Sequence, residues 1–104
     1  MNRTEIADND ALRRFVRDND KAVVMFGKSD CVHCSIAESV MDDVRGDFPQ
    51  IAFAYVEDTH VALAEGVKSF PTTRFYEGGS HIADLIGSLK IGHIRELLEI
   101  FAET

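Results

Sequence analysis

The sequence predicts an α/β domain with a mixed central β-sheet of four to five strands, flanked by helices on both faces. Two apolar runs, Ala22–Phe26 and Ile51–Val56, lack the alternation of a half-exposed strand and suit strands that are buried on both faces. A helical pattern links these runs, which makes a βαβ unit with parallel neighbours. The turn sequence Glu77–Ser80, with two glycines, then predicts a hairpin and an antiparallel addition to the sheet.

Helices and strands follow one another along the whole chain. Asp8 or Asn9 suits the N-cap of the first helix, and Pro49 ends the second because proline cannot continue a helix. The predicted elements are an edge strand at Thr4–Ala7, a helix to about Arg17, a strand at Ala22–Phe26, a helix from Val32 or His33 to about Gly46, a strand at Ile51–Val56, a short helix at His60–Gly66, strands at Thr72–Tyr76 and His81–Ile86, and a helix at Lys90–Phe101.

Apolar residues recur at helical spacing in three of these helices, and we expect these stripes to cover the sheet. The stripes are Leu12, Phe15 and Val16 in the first helix, Ile36, Val40, Met41 and Val44 in the second, and Ile91, Ile94, Leu97, Leu98 and Phe101 in the last.

Composition limits the class of protein. A length of 104 residues suits one domain, residues 1–104, with a single hydrophobic core. Eleven basic and eighteen acidic residues give a net charge of -7, which disfavours nucleic acid because phosphate contacts need the opposite sign. No apolar run reaches the ~20 residues of a membrane span. The polar stretch Met1–Glu5 is unlike a signal peptide. We therefore expect a cytoplasmic monomer without nucleic-acid or membrane partners.

The two cysteines, Cys31 and Cys34, lie where the first buried strand gives way to a helix. Free backbone N–H groups and the positive end of the helix dipole stabilise a thiolate on Cys31. Cys34, one turn later, is close enough to form a disulfide with it. A Cys-x-x-Cys pair at this place is typical of a redox motif. A purely structural disulfide is less favoured, because closing a four-residue ring removes little entropy from the unfolded chain.

A zinc site is another interpretation of a cysteine pair. The remaining histidines, His60, His81 and His93, lack the spacing of a zinc finger, and the cysteine pair opens a long helix. We therefore expect neither a metal nor a cofactor.

Taken together, these features resemble the thioredoxin family from end to end. The Cys-x-x-Cys pair alone is a weak signal, and the combination with an X-Pro-Thr some forty residues later is a specific one. The extra N-terminal helix and strand, and Phe70 before the proline, favour thioredoxin over glutaredoxin. The segments that carry the resemblance are Cys31-Val32-His33-Cys34 after the strand Val23–Phe26, Phe70-Pro71-Thr72-Thr73, the hairpin Phe75–Gly79, Gly87 and the terminal helix.

The resemblance implies a thioredoxin fold with a cis bond before Pro71. In this family the loop that carries the proline lies beside the two sulfurs, and its backbone pairs with an extended substrate segment. Val32, Phe70 and Gly87 would flank that groove, although Phe70 could equally belong to the core. The implied partners are proteins with disulfides and a flavin-dependent thioredoxin reductase.

Within that scheme Cys31 is the nucleophile, and the more buried Cys34 resolves the mixed disulfide. His33 resembles the residue at the same place in protein disulfide isomerase. A cation there would stabilise the thiolate, and hence the reduced enzyme, and make the pair more oxidising. Asp30 opposes this, because a carboxylate beside Cys31 disfavours its anion. We expect a potential somewhat less reducing than that of an ordinary thioredoxin, unless His33 is merely a solvated side chain.

Departures from the family pattern leave a second class of function open. The buried acid that the family carries six residues before the first cysteine is Met25 here. We expect a slower resolving step unless Lys28, Glu57 or water substitutes, and core packing alone is the other interpretation. Asp30 also replaces the usual tryptophan. The alternative is therefore a non-catalytic binding module or accessory subunit of a larger complex.

Overall fold

The structure is a computed structural model and describes residues 3–104. Every element predicted from the sequence is present, with bounds that differ by a few residues, and β1 is shorter than expected. The elements are β1 (Thr4–Glu5), α1 (Asn9–Asp18), β2 (Lys21–Phe26), α2 (Val32–Val44), β3 (Ala52–Val56), α3 (Thr59–Ala64), β4 (Thr72–Glu77), β5 (Ser80–Ile86) and α4 (Ile91–Ala102), with a short 3-10 turn at Arg45–Asp47.

The described strands form one mixed five-stranded sheet in the order β1-β3-β2-β4-β5. β2 is central, parallel to β3 and antiparallel to β4. β1 lies at one edge, beside β3. The predicted mixed sheet is therefore confirmed, and the continuous apolar pattern of β2 follows from its burial on both faces.

Helices cover both faces of the sheet, as predicted, because successive side chains of β2 alternate between two clusters. Val23 and Met25 belong to a cluster packed under α2 and α4. Val24 and Phe26 belong to the other, under α1 and α3. No helix within residues 3–104 combines the length and the apolar character that a bilayer crossing requires.

The prediction that Ile36 and Ile91 belong to the core is wrong, because their exposed fractions are 46% and 48%. Ile36 lies one residue before the buried Ala37, and so about 100° around α2 from the buried line. Ile91 is the first residue of α4, whose buried line begins only at Ile94. Leu89, in the loop before the helix, belongs to the core cluster instead.

The ends of three strands meet where the cysteine pair begins. Phe26, the last residue of β2, pairs with Val56 at the end of β3 and with Thr72 at the start of β4. Gly27 extends this edge, because its N–H donates to the carbonyl of Val56 at 2.9 Å. The loop that leads to Cys31 therefore starts from a fixed edge of the sheet.

Candidate active site

Cys31 and Cys34 are joined by a disulfide at the N-terminus of α2. Cys31 is the N-cap: its backbone is extended, and its Sγ accepts a hydrogen bond from the Cys34 N–H at 3.1 Å. The two cysteines differ in burial, since Cys31 is partly exposed and Cys34 is only 1% exposed. An incoming group therefore reaches Cys31 more easily than Cys34.

The turn before Cys31 depends on Asp30, whose φ of 56° lies in the left-handed region. Aspartate tolerates this region better than most residues with a side chain. Its side chain is exposed, so the high dielectric of the surrounding water weakens the effect of its carboxylate on Cys31.

Two hydrogen bonds connect the start of α2 with the two other loops singled out from the sequence. Nδ1 of His33 lies 2.9 Å from Oγ of Ser88, in the loop after β5. In the same loop, the N–H of Gly87 donates to the carbonyl of Pro71 at 2.8 Å. Gly87 has a φ of 101°, which favours glycine. The bond between Phe70 and Pro71 is cis.

The apolar residues expected beside the groove differ in their surroundings. Val32 is 73% exposed, and Ile86, which the sequence did not single out, is 70% exposed. Phe70 is half-buried and packs against the cluster under α1 and α3. The Lys28 ammonium lies 5.7 Å from the Phe70 ring centroid. Phe70 therefore contributes at least part of its ring to the core.

The position of the missing acid is apolar and closely packed. Met25 is 2% exposed and belongs to the cluster under α2 and α4. Its partner on β4, Thr73, has a buried hydroxyl without a hydrogen-bond partner. Glu57, which the sequence offered as a substitute acid, is exposed.

A carboxylate that the sequence did not point out, that of Glu38, lies beside Cys34. A Cβ added to Gly27 would stand 3.3 Å from Oε2 of Glu38 and 3.6 Å from Sγ of Cys34. The signal in the sequence is the four-residue spacing, since positions i and i+4 are neighbours on a helix.

Arg3, which directly precedes the edge strand β1, forms an ion pair with Glu38. Its guanidinium binds Oε1 of Glu38 at 2.8 Å, Oε2 of Glu5 at 2.9 Å and Oδ2 of Asp42 at 3.3 Å. It also stacks over the Tyr55 ring, 4.1 Å from the centroid. Burial opposes the charge, but the hydrogen bonds to Glu5 and Glu38 raise the pKa of Arg3. This cation is therefore permanent.

Asp42 links the same network to the core, because the Tyr55 hydroxyl donates to its Oδ1 at 2.7 Å. Burial, and then this bond, raises the pKa of Tyr55. Within residues 3–104, no three His, Cys, Asp or Glu side chains are grouped as a metal site requires.

A disulfide across a Cys-x-x-Cys at the start of a helix, on a mixed sheet of this order, supports a thiol–disulfide oxidoreductase in general. The sequence model of the thioredoxin family matches residues 3–99. The chain belongs to the thioredoxin family.

Solved structures agree on the fold. Mitochondrial thioredoxin 3 of Saccharomyces cerevisiae, in its oxidised form, is 19% identical and matches with a TM-score of 0.84 over 94% of each chain. Oxidised thioredoxin of Plasmodium falciparum is 19% identical, with a TM-score of 0.85 over 97% of this chain and 99% of that one. Fasciola hepatica thioredoxin is 20% identical, with a TM-score of 0.85 over 94% and 98%. No curated protein matches the chain significantly. The predicted thioredoxin fold is confirmed.

Proposed function

We propose that the protein reduces or exchanges disulfides of other proteins through the Cys31–Cys34 pair. The observation that carries this proposal is the hydrogen bond from the Cys34 N–H to the Cys31 sulfur at the N-cap of α2. After reduction, the same donor and the helix dipole would stabilise a thiolate on Cys31. The unequal burial of the two cysteines supports Cys31 as the nucleophile and Cys34 as the resolving thiol.

The reaction proceeds by two exchanges. The Cys31 thiolate attacks one sulfur of a substrate disulfide, a Cys31–substrate bond forms, and the substrate S–S bond breaks. Cys34 loses its proton and attacks Cys31, which forms the Cys31–Cys34 disulfide. The other substrate sulfur left in the first exchange with the electron pair of the substrate S–S bond. In the second exchange, the substrate sulfur that was bonded to Cys31 leaves with the electron pair of the mixed disulfide. Each substrate sulfur takes up a proton. The substrate gains two electrons and the enzyme loses two.

His33 adjusts the redox balance of the pair in this proposal. Its imidazole lies one residue before Cys34 and is oriented by Ser88 at 2.9 Å. When protonated it would favour the Cys31 thiolate, while the solvated Asp30 would disfavour it weakly. The proposed potential is therefore somewhat less reducing than that of an ordinary thioredoxin. Equilibration against a glutathione buffer, with His33→Gln as the comparison, measures this directly.

Substrate chains would bind across the cysteine end of the sheet. The exposed side chains of Val32 and Ile86 suit an apolar peptide segment. Gly87 directly follows Ile86, and its N–H donates to the carbonyl of Pro71, which joins the proline loop to the same region. We propose a flavin-dependent thioredoxin reductase as the electron donor, in the reducing environment of the cytoplasm and with the protein acting as a monomer.

Reduction of insulin by dithiothreitol tests the proposal. The wild-type chain should accelerate it, and Cys31→Ser should abolish the acceleration. Activity of Cys31→Ser equal to that of wild type would end the proposal. Cys34→Ser should accumulate covalent mixed disulfides with client proteins. If a Cys31→Ser/Cys34→Ser variant retains the biological role and Cys34→Ser captures only non-covalent partners, the chain is a binding module instead.

A further inference from the structure

We infer that Glu38 accepts the proton of the Cys34 thiol when Cys34 resolves the mixed disulfide. This inference rests on the function proposed above. The three atoms nearest to the position of a Cβ on Gly27 are Oε2 of Glu38, at 3.3 Å, and Cβ and Sγ of Cys34, at 3.5 and 3.6 Å. Oε2 and Sγ are therefore less than about 7 Å apart, a gap that one or two water molecules bridge.

The resolving step needs a proton acceptor because Cys34 is nearly inaccessible. A thiol attacks a disulfide as its thiolate, and burial disfavours the charged form. Cys34 is 1% exposed, and its neighbour on the sheet side, Gly27, offers no side chain. Glu38 lies one helical turn beyond Cys34, on the same side of α2. It thus brings a carboxylate to a sulfur that bulk water reaches poorly.

Arg3 orients this carboxylate. Its Nη2 binds Oε1 of Glu38 at 2.8 Å, and the other oxygen, Oε2, is the one that lies towards Gly27 and Cys34. The Glu38 side chain remains 26% exposed, so a proton taken from Cys34 can pass on to solvent. The ionisable groups bound to Arg3 or joined to it through Asp42 are Glu5, Glu38, Asp42, Arg45 and Tyr55.

In this step the Cys34 S–H bond breaks and its proton moves to Oε2, directly or through water. The sulfur of Cys34 then bonds to that of Cys31, and the substrate thiolate leaves with the electron pair of the broken bond. Arg3 retains its charge throughout. Glu38 thereby supplies an acid–base group on α2, whereas the core position on β2 is occupied by Met25.

The test mixes reduced protein with dithiobis-nitrobenzoate and follows thionitrobenzoate release against pH. The first release reports attack by Cys31, and the second reports resolution by Cys34. Glu38→Gln keeps a hydrogen-bond acceptor for Arg3 but loses the proton acceptor. It should slow the second release at least ~10-fold at neutral pH, make it rise with hydroxide, and leave the first within about twofold. Glu38→Asp should restore part of the loss.

The matched control is Asp42→Asn, which removes another carboxylate of Arg3 one turn further from Cys34. Its second release should stay within about twofold of wild type. If Glu38→Gln resolves as fast as wild type at every pH, or if Asp42→Asn slows equally, the role of Glu38 is refuted and Cys31 and Cys34 keep theirs. If wild type gives no second release, the proposed function itself fails.

Discussion

Reducing the Cys31–Cys34 disulfide should leave the protein folded and lower its free energy of unfolding by about 2 kcal/mol or less. The bridge spans a sequence separation of only 3 residues. For a ring of about four residues, the chain-entropy expression gives about 2 kcal/mol. The Cys31 sulfur accepts the Cys34 N–H in the oxidised protein and can still accept it after reduction, so the loss of this cap should not add to the cost. The free energy of unfolding of a native protein is typically about 5–15 kcal/mol, so the reduced protein should remain folded.

Urea unfolding of the oxidised and reduced protein measures this difference. The variant Cys31→Ser/Cys34→Ser serves as the control for a chain that cannot form the bridge. The m values of the oxidised and reduced protein should agree, because unfolding exposes nearly the same surface in each. A reduced protein that is unfolded in water, or that loses more than about 4 kcal/mol, would show that the disulfide is a structural staple. The redox function would then lose its main support.

Asp84→Asn should lower the free energy of unfolding by about 1–3 kcal/mol at neutral pH, because Arg74, with a side chain 7% exposed, loses its charged partner. The hydrogen bond from Arg74 lowers the pKa of Asp84, so this stabilisation is present above the ordinary aspartate pKa and disappears as acid protonates the carboxyl; urea curves that fail to converge there would contradict it. Burial raises the pKa of Tyr55 and Tyr76, the chain's two tyrosines, so alkaline titration should show no folded tyrosinate absorbance near pH ~10 and falling stability above it. Met25→Asp should shorten the lifetime of the Cys31 mixed disulfide while destabilising the core, and an unchanged lifetime would indicate that this position only packs.

The fold could be predicted because its signals are local. The apolar run of β2, the stop at Pro49 and the glycine turn after β4 each fix one element within a few residues. A βαβ unit with a hairpin added predicts the mixed character of the sheet, although it does not fix which strands lie at the edges. The prediction failed for Ile36 and Ile91 because a helical pattern marks an apolar face, while the sheet beneath the helix decides which part of that face is buried.

The redox role of the cysteine pair could also be predicted from its spacing, whereas the side chains that contact the helix of the pair could not. Ser88 reaches His33 across a sequence separation of 55, and Arg3 reaches Glu38 across 35. Such contacts depend on which strand lies at which edge, and no local pattern encodes that. The sequence search for a substitute acid considered Lys28 and Glu57 near the strand ends. It did not consider α2, where the side chain of Glu38, one turn after Cys34, lies beside the Cys34 sulfur.

The position of Arg3 has a practical consequence for anyone who purifies this protein. An affinity tag joined before Met1 would be separated by only two residues from Arg3, whose guanidinium binds Glu38. Extra charges or a folded fusion partner there would weaken the ion pair between Arg3 and Glu38 and change thiol reactivity without altering either cysteine. Kinetic comparisons between preparations should therefore use one tag placement throughout.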